Sequence, residues 1–104
     1  MAQVTNLAFF RARSGQSEAL GAALVALVEP TRLGAGCLNY DLHRSVDDAN
    51  VWFVYENWRL PEGFDAHMQS EHLQAFLKAT PDLVAGNIDL RRFRMISSPA
   101  TRHI

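Results

Sequence analysis

The feature that most constrains this chain is a pair of alternating stretches joined by a short polar run. In residues 37–44 Leu38, Tyr40 and Leu42 point one way while Asn39, Asp41 and His43 point the other. In residues 51–58 Trp52, Val54, Glu56 and Trp58 share one face, and Val51, Phe53, Tyr55 and Asn57 share the opposite one. Side chains alternate across a strand with a period of two, so both stretches are expected as strands. Between them, residues 45–50 include Asp47, Asp48 and Asn50, which tolerate turn geometry and bond their own backbone. The two strands therefore close into a hairpin.

On either side of the hairpin the period changes. Residues 16–28 carry Leu20, Leu24, Leu27 and Val28 at helical spacing, which predicts a one-sided helix that Pro30 should end. Residues 61–79 begin with Pro61, suited to a first helical turn because its missing N–H is no loss there. Around that helix Phe64 and Met68 fall roughly opposite Leu73, Phe76 and Leu77, so the segment either buries two faces or breaks near Ser70. Residues 4–12, rich in β-branched and aromatic side chains, read as a first strand. Residues 87–96 read as a last one, with Ile88, Leu90 and Ile96 on one face and Phe93 and Met95 on the other.

The order β-α-β-β-α-β predicts a ferredoxin-like α+β domain, an antiparallel sheet with both helices on one face. Apolar residues lie on both faces of the first, third and fourth strands. The uncovered sheet face is therefore expected to meet a second copy of the chain, giving a homodimer.

A length of 104 residues suits one domain, with a core over residues 4–96 and a tail over residues 97–104. The net charge of -1 supplies no field to draw in nucleic acid or an anionic membrane, and neither is expected as a partner. No apolar run approaches the ~20 residues of a membrane-spanning helix. A lone Cys37 cannot form an internal disulfide, and the opening MAQVTNLAFF lacks the pattern of a secretory signal, so a cytoplasmic setting is expected.

Cofactor signals are missing from the pattern. His67 and His72 are five residues apart, about 140° around a helix, whereas two imidazoles sharing a metal want a spacing of three or four. The scattered glycines form no nucleotide or flavin loop, and Cys37 has no patterned base beside it. The expectation is a site with no metal and no cofactor.

Several side chains have the chemistry of a site. His67 is of a type that titrates near neutral pH and serves as a general base, or else it is a histidine held in the helix cap. Glu56, inward-facing between two tryptophans, needs a partner, for which His67 or an arginine are candidates. That bond would either orient a base or simply tie the third strand to the second helix. Asn6 and Tyr40 can bond a phenolic or carbonyl oxygen, and Trp52, Phe53, Phe64 and Met68 can wall a planar ligand or pack the core. His72 is either a substrate contact or a structural or interfacial group. Arg91, Arg92 and Arg94 read as a solvated or interfacial stretch, with Arg91 on the opposite face from the other two.

Three short runs resemble a known family. Gly36-Cys37-Leu38-Asn39-Tyr40, then Tyr55-Glu56-Asn57-Trp58, then Ala66 through Leu73 are similar to the GC-x-x-Y, E-x-W and H-x-x-S-x-H run of antibiotic biosynthesis monooxygenase domains. The resemblance spans about residues 4–96 and implies a dimeric α+β barrel. That fold hosts quinol and polyketide monooxygenases, haem-degrading enzymes and an isomerase of a sugar phosphate. It implies for this chain oxidation of a phenolic, quinol or polyketide-like aromatic molecule by O₂ without a cofactor. His67 would be the base, Glu56 its orienter, and Asn6 and Tyr40 polar contacts.

The chain departs from relatives at Gly34, where many carry an acidic residue. It also departs from the haem-degrading branch: Asn6 matches, but His67 and Leu77 stand where that branch has a Trp and a His. The alternatives are a ligand-binding or stress-related dimer without turnover, and an isomerase using the same histidine. An enzyme predicts a cavity beside His67; a binding or structural module predicts His67 packed without a void or turned to solvent.

Overall fold

The computed structural model describes residues 3–98. Its elements run β1 (Val4–Arg11), α1 (Ser17–Arg32), β2 (Cys37–Arg44), β3 (Val51–Trp58), α2 (Pro61–Met68), α3 (Glu71–Leu83) and β4 (Asp89–Phe93). The four strands form one sheet in the order β2-β3-β1-β4, each neighbour antiparallel, which is the ferredoxin-like topology. Residues 99–104 of the expected tail lie outside the described residues.

One sheet face meets the helices. Ala8, Phe10, Tyr40, Trp52 and Val54 pack there against Leu20, Leu24 and Leu27 of α1 and Leu73 and Phe76 of α3. Gly21 lets α1 approach closely, since a Cβ there would stand 2.5 Å from the ring of Trp52. On the other face Phe9 stacks on Phe53 with centroids 5.3 Å apart, His43 stacks on Phe53 at 4.7 Å, and the Arg91 guanidinium lies over Phe9. Among the described residues no helix is long and apolar enough to cross a membrane.

Four local details depart from, or decide between, the expectations. Pro30 does not end α1, which continues to Arg32. A proline so near the C-terminus removes one backbone bond, and the next turn is held from outside. Leu33 N still donates to Glu29 O, Arg32 donates to Tyr40 O and Asp41, and Thr31 is 1% exposed. Leu38 does not share the buried face of Tyr40. The β2–β3 register shifts between Cys37 and Asn39, so Leu38 is the extra residue of a bulge and is 43% exposed.

The second helical segment breaks at Ser70, whose extended backbone and side chain cap α3 by accepting from Leu73 N. Each half then buries its own face, Phe64 and His67 on α2, Leu73 and Phe76 on α3. Finally β4 covers only Asp89–Phe93, and Met95 and Ile96 lie exposed beyond it.

Candidate functional site

Sheet register assembles a polar row beneath α2. Glu56 of β3 pairs across the sheet with Asn6 of β1 on one side and with Tyr40 of β2 on the other, while Asn6 pairs in turn with Arg92 of β4. Paired residues in antiparallel strands present side chains to the same face, so all four belong to the helix-facing side. The α2 helix lays Phe64, His67 and Met68 over this row because these positions fall within one turn of each other.

Between helix and sheet lies a cavity of about 70 Å³. Tyr40, Glu56, Phe64, His67 and Met68 line it, with Ala8, Phe10, Leu27, Leu73, Phe76, Leu77, Ile88 and Leu90 completing an apolar wall. His67 lies in a nest of rings: its centroid is 5.2 Å from Trp58, 5.6 Å from Tyr40 and 6.1 Å from Phe64. Leu77 offers the cavity no donor atom. Among the described residues no group of three or more His, Cys, Asp or Glu is placed to hold a metal ion.

The titratable groups here are driven toward their neutral forms. Burial, aided by the nearby His72, lowers the His67 pKa to about 4, so the imidazole is neutral at pH 7. Burial raises the pKa of the Glu56 carboxyl, which is 3% exposed; the hydrogen bond from Trp58, and after it the proximity of the polar Asn6 amide, pull it partly back. Tyr40 is also raised, by burial and then by the Glu56 charge, and stays protonated. Glu56 Oε1 accepts from Trp58 Nε1 at 2.6 Å. The Asn6 amide faces Glu56 across the register without reaching hydrogen-bond geometry, and both its polar atoms are buried and unpartnered. Such an amide is ready to bond something that enters the site.

His67, Glu56, Tyr40, Phe64 and Met68 thus share one cavity, and Asn6 lies beside them at the register position next to Glu56. The structure separates the others. Trp52 faces inward but sits four residues, about 13 Å, along the strand from Glu56. There its indole donates to Ser17 Oγ and packs under α1. Phe53 points to the opposite sheet face, in the stack with Phe9 and His43, as the alternation of β3 requires. His72, half-buried, does not line the cavity; its ring stands 6.0 Å from that of His67, beyond the start of α3. Glu56 takes Trp58 rather than His67 or an arginine as its partner, because residues two apart on a strand are same-face neighbours.

Arg92, expected to be solvated or interfacial, is exposed and also reaches the site. Its guanidinium lies over the Phe64 ring at 5.3 Å, at the edge of the same row, and Arg92 takes part in none of the ion pairs among the described residues. The signal was present in the alternation, which put Arg92 on the face of Ile88 and Leu90.

The sequence model of the family described as antibiotic biosynthesis monooxygenase matches residues 3–79. Among curated proteins, "Putative monooxygenase Rv0793" of Mycobacterium tuberculosis is 36% identical over 69 residues, covering 66% of this chain and 67% of that protein. Its solved structure superposes with a TM-score of 0.89 at 26% identity, over 95% of this chain and 100% of that one. The crystal structure of PA3566 from Pseudomonas aeruginosa gives a TM-score of 0.88 at 32% identity, over 93% and 97%. An uncharacterized protein, sll1783 of Synechocystis, is 26% identical over 68 residues; the match spans 65% of this chain and 46% of that protein's length.

Proposed function

This chain belongs to the antibiotic biosynthesis monooxygenase family, and on that premise we propose that it oxidises a small phenolic, quinol or polyketide-like aromatic molecule with O₂ in the cavity under His67. One observation carries the reading. A buried, neutral imidazole and a buried carboxyl face one largely apolar space, with an unpartnered amide beside it. Apolar walls suit an aromatic ring, and the few polar groups suit the oxygen it carries.

In this mechanism neutral His67 takes the phenolic proton, and the phenolate passes one electron to O₂. Recombination of the two radicals joins oxygen to a ring carbon that bears hydrogen, and the imidazolium returns its proton to the peroxide. Loss of the C–H proton with cleavage of the O–O bond gives the quinone and water, so one oxygen atom enters the product and the other leaves as water. The electrons come from the substrate, and no metal, haem or flavin is required. Asn6 and Tyr40 hydrogen-bond the substrate oxygen. Arg92, exposed at the edge of the row, adds a positive charge near the phenolate that solvent partly screens. Glu56, held by Trp58, is a polar wall of the cavity and touches His67 through no hydrogen bond.

The proposal extends to assembly. The uncovered sheet face, with Leu7, Phe9 and Phe53 half-buried and Tyr55 and Phe93 exposed, forms the interface of a homodimer working in the cytoplasm. The test of function is oxygen consumption with a panel of quinols and polyphenols, using ¹⁸O₂ to follow one labelled atom into the product. Uptake with label in the quinone supports the reading, and no uptake with any of them removes it.

A further inference from the structure

His67 lines a second cavity as well, of about 100 Å³, shared with Thr31, Gly34, Gly63, Ser70 and His72. Two buried polar atoms of its lining residues make no hydrogen bond to the described protein, Thr31 Oγ1 and His67 Nδ1; these residues are 1% and 8% exposed. Burying such atoms without a partner is costly.

The Ser70 hydroxyl, in the same lining, is not free to serve them. Ser70 Oγ donates to His67 O at 2.7 Å, accepts from Leu73 N at 3.3 Å, and stands 3.2 Å from His72 Nε2. A hydroxyl has one proton, already committed to His67 O, so His72 Nε2 is the donor in that contact and Ser70 is saturated. Two glycines let the wall of this cavity pack closely. A Cβ on Gly63 would stand 3.1 Å from both Trp58 Cε3 and Ala35 O, and one on Gly34 3.1 Å from Thr31 O. A cavity of this size with two polar atoms in its lining residues has the room and the partners that a buried water needs.

We propose that a water bound in this second cavity bridges Thr31 Oγ1 and His67 Nδ1, making Thr31 the positioning residue that holds His67 as its Nδ1–H tautomer. A neutral imidazole carries one proton, and the hydrogen bond at one nitrogen decides which nitrogen keeps it. With Nδ1–H donating to the water and the water donating to Thr31 Oγ1, the Nε2 lone pair is left for the substrate cavity. The catalytic consequence rests on the reading of His67 as the base; the bridge itself does not.

The experiment is ¹⁵N NMR of histidine-labelled full chain at neutral pH, without substrate, on wild type, Thr31→Val and Thr31→Ser. The expected result is a protonated Nδ1 in wild type, a shift of the tautomer ratio toward Nε2–H by about five-fold or more in Thr31→Val, and the wild-type ratio in Thr31→Ser. An Nε2–H tautomer in wild type, or a ratio indifferent to Thr31→Val, overturns the bridge. Should Thr31→Val fail to fold, the wild-type tautomer decides alone. An Nδ1–H tautomer that responds to Thr31 in a protein that oxidises nothing keeps the bridge and removes the catalytic reading. Oxidation that proceeds with a tautomer indifferent to Thr31 does the reverse.

Discussion

Trp58 donates its indole N–H to Glu56 Oε1 at 2.6 Å, and both residues are buried. The bond joins two side chains of one strand, so it anchors the carboxyl to the sheet and leaves α2 free of it. Replacing Trp58 with Phe removes the donor while keeping an aromatic ring beside His67. The expected outcome is a loss of roughly 1–3 kcal/mol, the cost of leaving a buried acceptor unpaired, together with a further rise of the Glu56 pKa. Chemical denaturation and an NMR titration of the carboxyl check the two parts.

Acidification should destabilise the fold through His67. Its folded pKa, about 4, lies below the ordinary value of 6.5, so between those limits the unfolded chain binds a proton that the folded chain refuses. Stability contributed by the neutral ring is therefore full above pH 6.5 and lost as pH falls toward 4, by about 3 kcal/mol at most. Glu56 works in the opposite sense. Its raised folded pKa makes the folded chain bind a proton first, adding stability as pH falls through that raised value toward 4.5. Subtracting the stability curve of His67→Gln from that of wild type isolates the histidine. The difference should slope downward on acidification from pH 6.5 to 4, and a flat difference would contradict the burial assigned to this ring.

The sheet face opposite the helices should hold two copies together. Phe53, stacked between Phe9 and His43, is its centre. Replacing Phe53 with Glu puts a charge into that face, and sedimentation at micromolar concentration should show wild-type dimer and variant monomer. A wild type that sediments only as monomer would contradict the assembly.

The fold could be read from the sequence because its strongest signals are periodic. The period of two in residues 37–44 and 51–58 places Glu56, Trp58 and Tyr40 inward, and the mismatch of Phe64 and Met68 with Leu73 and Phe76 leaves either two buried faces or a break near Ser70, of which the structure has the break. What escaped were single-residue events in which tertiary contacts outweigh local preference. Pro30 stays helical because Thr31 and Arg32 are held from outside, and the bulge at Leu38 cannot be seen in a strict alternation.

The site was half visible. His67, Glu56, Tyr40, Phe64 and Met68 do share a cavity. Trp52 and Phe53 share the chemical type of a ligand wall, but strand length and alternation carry them elsewhere. Arg92 is exposed, as a solvated arginine would be, and only the register that sets it beside Asn6 and the ring of Phe64 shows that it also borders the site.

Whether His67 is the base is tested most directly by steady-state oxidation of a quinol by His67→Ala, alongside wild type at neutral pH. Loss of a general base predicts a fall in kcat of about 10²-fold or more, in a protein whose circular dichroism and sedimentation match wild type. Full activity in His67→Ala, or a loss that tracks only unfolding or dissociation, would show that the ring seated on Trp58 serves packing and not proton transfer.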